Sequence, residues 1–264
     1  MSTSGLSVTR DLAERYASVV TSLSADEWAA PSRCAGWSVK DLVAHTGSNF
    51  AALTDPTPVD PSAPAPKTAE ELQELLVAQR RDWSAPQVAE EFLQNMEGAL
   101  AALAAMQEGE MATAPITLTD LGTYDAHQLA DAFAFDLWCH MYVDLLAPEG
   151  PVHRPVEPHD HQSVRAAVDW MWTGLPQMCP QVISALTRPL GVVLTGPGEG
   201  EWTLTPAEDQ IMVSAGVGSS DTVVSSSATD FVLWGTRRSP WPKHVTISGD
   251  HAYAAAILDL IDVV

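Results

Sequence analysis

The sequence predicts an α+β protein, with a helical bundle over residues 1–186 and a small α+β domain over residues 187–264. Three observations predict it. Apolar residues recur at helical spacing through the first part of the chain. From Leu190 onward the pattern becomes short β-branched runs, GVVLT, EWTLT, QIMVS and DTVVS, separated by Gly, Pro and Asp. A chain of 264 residues is long enough for either one large domain or two smaller ones, and at that size folding buries roughly 70–75% of the unfolded surface.

Each element has its own signal. Leu12, Tyr16, Val19, Val20 and Leu23 share one face of a helix over 8–23. PSRCAGW breaks that pattern, and Ser38 with Asp41 forms a capping box that starts a second helix running to about Leu53. Residues 54–67 hold five prolines and read as a loop. A third helical stretch begins at Thr68 and Glu71, breaks near Pro86 and resumes to about Gln107. Residues 108–122 are a connection with room for a short strand pair, and a long helix is expected from Thr123 to Leu146. A second proline-rich loop leads to a helix from His161 to Met178, stopped by Cys179-Pro180. In the β-rich part, Ser227 or Thr229 caps a helix carrying Phe231, Val232 and Trp234. HVTIS is a further strand, and Asp250 caps a last helix.

Charge narrows the partners. Thirty-four acidic residues against thirteen basic ones leave a net charge of −21. That field repels nucleic-acid phosphates and anionic membrane surfaces. The opening MSTSGLSVTRDLAERY lacks the apolar core of a signal peptide, and no segment approaches the ~20 apolar residues of a membrane span. Only three cysteines are present, Cys34, Cys139 and Cys179, and they are widely spaced, as in a reducing cytoplasm. A cytoplasmic monomer or homodimer is expected.

The chemistry concentrates in FDLWCHMYVDLL, residues 135–146. Asp136, His140 and Asp144 recur every four residues on a helix that is otherwise apolar. On an α-helix, positions i and i+4 sit about 40° apart, so the three form one row. The spacing alone fits a solvent stripe, a satisfied Asp–His pair or half of a metal site. His45, flanked by Leu42, Val43 and Phe50, is the natural third ligand. Two histidines and a carboxylate from two helices would leave a fourth position open, the pattern of catalytic zinc. Near the other end, Arg237, Arg238 and Lys243 lie within seven residues beside Trp234 and Trp241, a concentration of positive charge suited to a carboxylate ligand. The chain has no Gly-rich phosphate loop, Ser nucleophile elbow or Cys-x-x-Cys pair.

SRCAGWSVKDLVAH and FDLWCHMYVDL resemble two signatures of the mycothiol-dependent maleylpyruvate isomerase family, and ATDFVLWGTRRSPW followed by VTISGD resembles that family's C-terminal ending. The resemblance covers nearly the whole chain. It implies an α+β fold, with an N-terminal DinB-like four-helix bundle followed by a small sterol-carrier-like α+β domain. It also implies metal ligands at His45, Asp136 and His140, and an arginine for anionic substrate or thiol at Arg238, with Arg237 as its rival. In the family the Asp-Leu follows the histidine by three residues, whereas here Asp144 follows at four. The implied activity is a zinc-dependent transferase or isomerase. It would use a low-molecular-weight thiol, mycothiol, as cosubstrate against a small, electrophilic, anionic substrate. Two alternatives are a metal-dependent hydrolase, with Asp144 as its base, and a non-enzymatic metal-containing protein that binds a ligand.

Overall fold

The computed structural model describes residues 3–55, 65–155 and 159–264. Most of the proline-rich loop expected at 54–67 lies outside the described residues, as does the middle of the second one. The chain divides into two compact units, Met1–Glu157 and Pro158–Val264.

The first unit is helical. Helices α1 (Thr3–Ser22), α3 (Val39–Thr54), α5 (Ala85–Ala105) and α6 (Leu129–Cys139) form the bundle, and the short helices α2 (Ala25–Ala29) and α4 (Ala69–Ala78) flank it. The expected capping box is present at α3, where Ser38 Oγ accepts from Asp41 N and the Asp41 carboxylate accepts from Ser38 N at 2.9 Å. The interior is aromatic. The Phe92 ring meets Tyr16 and Phe50 edge-on, at centroid distances of 5.3 and 5.2 Å. The break in the third helical stretch falls at residues 79–84, before Pro86, which sits in the first turn of α5 where its missing N–H costs no hydrogen bond.

The long helix expected over 123–146 is shorter and of mixed type. Gly122, at φ 118°, turns the chain so that β2 (Thr123–Asp125) pairs antiparallel with β1 (Pro115–Thr117). β-branched and aromatic residues there prefer the strand. Asp125 and Gln128 then cap a 3₁₀ turn that leads into α6. At the other end, His140–Leu145 winds as a π-helix, and Leu146 N donates to Met141 O at 3.0 Å.

In the second unit, α7 (His161–Met178) precedes a five-stranded sheet of order β5-β4-β3-β6-β7. Its strands are β3 (Leu190–Thr195), β4 (Gly200–Ala207), β5 (Gln210–Ala215), β6 (Val223–Ser227) and β7 (Thr246–Ser248). β3 and β6 pair in parallel and the other neighbours antiparallel. Helix α8 (Ala228–Gly235) follows β6, and α9 (His251–Leu258) follows β7. The sequence grouped residues 161–186 with the bundle, but the compact unit begins at Pro158. The reason is aromatic packing. Trp172 of α7 stacks on Phe231 of α8 at 4.6 Å and tilts against Trp202 of β4 at 5.4 Å. Among the described residues, no helix is long and apolar enough to cross a membrane.

Candidate metal centre

His45 stands in the second turn of α3, Asp136 in the last part of α6, and His140 where α6 passes into the π-helix. The two elements bring the three side chains together. Asp136 Oδ1 lies 3.2 Å from His45 Nε2 and 3.3 Å from His140 Nε2, and the two imidazole rings meet edge-on with centroids 4.8 Å apart. The donor atoms of all three lie within 4.8 Å of one another. Both histidines are buried, while Asp136 keeps partial exposure.

The far side of each ring is also held. His45 Nδ1 lies 3.0 Å from Gln73 Oε1 of α4, and His140 Nδ1 lies 2.9 Å from Asp144 Oδ2. An Nδ1–H that donates to an oxygen leaves Nε2 with its lone pair, so both Nε2 lone pairs face the same point. Asn49 Nδ2 donates to Asp136 Oδ2 at 3.3 Å and fixes the carboxylate. Two imidazole nitrogens and one carboxylate oxygen, each backed by a second hydrogen-bond partner, form a donor set that fits Zn²⁺ with an open position.

The π-helix explains Asp144. A π turn closes with i→i+5 bonds and takes one more residue than an α turn. The extra residue between His140 and the Asp-Leu is absorbed there, and the Asp144 carboxylate still reaches the ring. Asp144 therefore does not share a metal face with Asp136; it orients His140 from behind. We expect Asp144→Asn, which keeps the shape but removes the charge, to weaken metal binding about 10–100-fold with the helical CD signal intact. Competition against a chelator of known affinity measures it, and unchanged affinity would remove Asp144 from the site.

The electrostatics follow. Burial opposes ionisation of Asp136, but the charges and hydrogen bonds of His140 and His45 outweigh it and hold the carboxyl well below its usual range. Burial likewise works against the His140 imidazolium, but Asp136 beside it, with hydrogen bonds to Asp136, Asp144 and Cys34, raises its pKa well above 6.5.

Several neighbours went unread in the sequence. Asn49 is four residues beyond His45 on the same helix face, so spacing alone could have named it. Gln73 had no such signal. Cys34, whose approach to the metal the sequence left open beside a plain loop-thiol role, places Sγ 3.8 Å from His140 Nδ1. Trp37 leans over the His45 ring at 5.2 Å and donates from Nε1 to Glu74 at 2.9 Å. Both come from the loop before α3, where Gly36 adopts φ 84° and Arg33 N donates to Asp144 O at 3.1 Å. That left-handed turn suits glycine. The Tyr16 phenol lies in the same field; burial raises its pKa well above the ordinary value, so it is neutral.

The two arginines lie in the other unit. Arg237 is exposed, with φ 54°, and its guanidinium donates to the carbonyls of Ile261 and Asp259 and pairs with Asp262 at 3.1 Å. Its donors thus tie down the C-terminal segment. Arg238 is half-buried.

Residues 9–145, slightly more than half of the chain, match the family described as the mycothiol maleylpyruvate isomerase N-terminal domain. Two solved structures share the fold: the mycothiol-dependent maleylpyruvate isomerase, at 17% identity, and a histidine-to-alanine mutant of it, at 16%. Each alignment covers 92% of this chain and 91% of the other, with a TM-score of 0.58. No curated protein matches the chain. The match over 9–145, which contains all three clustered side chains, shows that the chain belongs to the mycothiol maleylpyruvate isomerase family.

Proposed function

We propose that this protein is a zinc-dependent, mycothiol-dependent isomerase or transferase acting on a small, electrophilic, anionic substrate, with His45, Asp136 and His140 as the metal ligands. The observation that carries the reading is the convergence of His45 Nε2, His140 Nε2 and Asp136 Oδ1, with both Nδ1 atoms engaged elsewhere. His45, Asp136 and His140 would hold the zinc, and the chemistry it would supply there is to favour the deprotonated form of a thiol near neutral pH, the form that attacks an electrophilic carbon. Gln73 and Asp144 fix the ring planes, Asn49 fixes the carboxylate, and Trp37 covers the His45 ring and limits its contact with water.

Arg238 is proposed for the anion-binding role, the position at which the family resemblance puts the arginine, and a guanidinium suits a carboxylate. The hydrolase alternative needs a general base. Asp144, the candidate for it, is only 1% exposed and engaged on His140, which favours thiol chemistry.

The test is metal analysis together with thiol dependence. Purified protein is expected to hold about one zinc per chain. Conversion of a small cis-dienoate or conjugation of an anionic electrophile is expected only when mycothiol is present. Arg238→Ala is expected to raise KM for the anionic substrate while leaving the zinc content unchanged. Full turnover without thiol, or without metal, would overturn the reading.

A further inference from the structure

A second constellation lies wholly in the C-terminal unit. Asp230 stands in the first turn of α8, Ser239 in the loop that follows, and His244 just after the 3₁₀ turn Trp241–Lys243. His244 Nδ1 lies 2.8 Å from Asp230 Oδ1, and His244 Nε2 lies 2.7 Å from Ser239 Oγ. A carboxylate only accepts hydrogen bonds, so Nδ1 carries the proton and donates to Asp230. Nε2 is then the lone-pair nitrogen and accepts from the Ser239 hydroxyl. A hydroxyl on the basic nitrogen of a histidine, with a carboxylate fixing that histidine's tautomer, is the arrangement of an activated serine nucleophile.

Each member is held by a further bond. Ser227 Oγ donates to Asp230 Oδ2 at 2.7 Å and accepts from Asp230 N at 3.0 Å. Ser226 Oγ donates to the His244 carbonyl at 3.0 Å and accepts from Trp234 Nε1 at 3.2 Å. Ser239 N donates to Leu233 O at 3.1 Å, across the left-handed turn at Arg237. The group is nonetheless open to solvent: the side chains of His244 and Asp230 are 18% and 35% exposed, and Ser239 is half-buried. Ser239 lies in TRRSPW rather than in a G-x-S-x-G elbow.

We propose that Ser239, His244 and Asp230 form a serine acyl-transfer site that cleaves small activated carboxylic esters, separate from the metal-dependent reaction. Ser239 Oγ attacks the ester carbonyl carbon as its proton passes to His244 Nε2. The bond to the leaving alcohol breaks, that alcohol takes the proton from Nε2, and the acyl group remains on Ser239. Water then attacks the acyl carbon and gives a proton to Nε2. The Ser239 ester bond breaks, Ser239 recovers the proton, and a carboxylic acid departs. Asp230 stays ionised throughout and stabilises the imidazolium.

The experiment uses the full-length protein with p-nitrophenyl acetate and a fluorophosphonate probe. Ester cleavage should exceed that of Ser239→Ala by about 10²–10⁴-fold, the range expected of positioned acid–base catalysis. The probe should add once per chain, on the peptide that carries Ser239. His244→Gln and Asp230→Asn should both lower the rate of labelling. Chelator-treated protein should be labelled as fast as untreated protein, which separates this site from the metal centre. Equal ester cleavage in wild type and Ser239→Ala, labelling at another residue, or loss of labelling with the metal would each overturn the assignment. If the three residues only clamp the loop, Ser239→Ala lowers the Tm and the wild type takes up no probe.

Discussion

Replacing His140, one of the three proposed ligands, by alanine is expected to lower the zinc affinity of the N-terminal unit by more than about two orders of magnitude. Zinc sites with four protein ligands bind with apparent free energies of about 10–16 kcal/mol, so losing one ligand costs about 3–4 kcal/mol, and every 1.4 kcal/mol is tenfold. His140 is a severe choice because it carries two connections, Nε2 towards Asp136 and Nδ1 to Asp144. Its protonation also gives the experiment a second reading. Without metal, the imidazolium beside Asp136 has a pKa raised well above 6.5. Its ion pair contributes stability that is complete below the unfolded-state value and lost as pH rises through the raised one. Zinc must displace that proton, so the apparent affinity should climb about tenfold per pH unit until the raised pKa is passed. His140→Ala should lose both the affinity and this part of the slope. Chelator competition across neutral pH, with circular dichroism to check the fold, measures both. Wild-type affinity in His140→Ala would remove it from the ligand set.

What the sequence revealed about this centre depended on which contacts are local. Asp136 and His140 are one helical turn apart, so their shared face follows from spacing. His45 could be paired with them only as a histidine on an apolar helix face and through the resemblance, since ninety-one residues separate it from Asp136. The role of Asp144 was hidden for a geometric reason. An α-helical row makes it an equal neighbour of Asp136 and His140, and only the change to π winding at His140 assigns it to the back of the ring. The strand character of 123–125 was hidden because the partner that draws it out of the helix is β1, not a local signal. Helix α7 read correctly as a helix and incorrectly as a member of the bundle, because periodicity reports an apolar face but not the surface that covers it. The Asp230–Ser239–His244 group joins a helix start, a loop and a turn, so no single period contains it.

Replacing Arg80 by alanine is expected to destabilise the protein by about 3–5 kcal/mol, the range for removing one partner of a buried ion pair. Arg80 follows α4 and is 1% exposed. Its Nε and Nη2 reach both carboxylate oxygens of Glu91 on α5, at 2.6 and 2.5 Å, and Nη1 donates to the Leu76 carbonyl at 2.7 Å. The guanidinium also lies over the Trp83 ring, 5.4 Å from its centroid. The Glu91 side chain is 11% exposed, so alanine at residue 80 leaves a carboxylate with little water and no counter-charge. For a domain of this size each kcal/mol shifts the Tm by about 2–4 °C, so a fall of roughly 6–20 °C is expected. The pair itself adds less than this figure suggests, because desolvating both ions offsets most of their attraction. Arg80→Met with Glu91→Leu, which removes both charges and keeps the volume, should therefore recover most of the loss. Thermal unfolding of the single and double variants decides it. If Arg80→Ala melts within about 2 °C of wild type, Glu91 must find water or another partner, and the link between α4 and α5 does not depend on this charge pair.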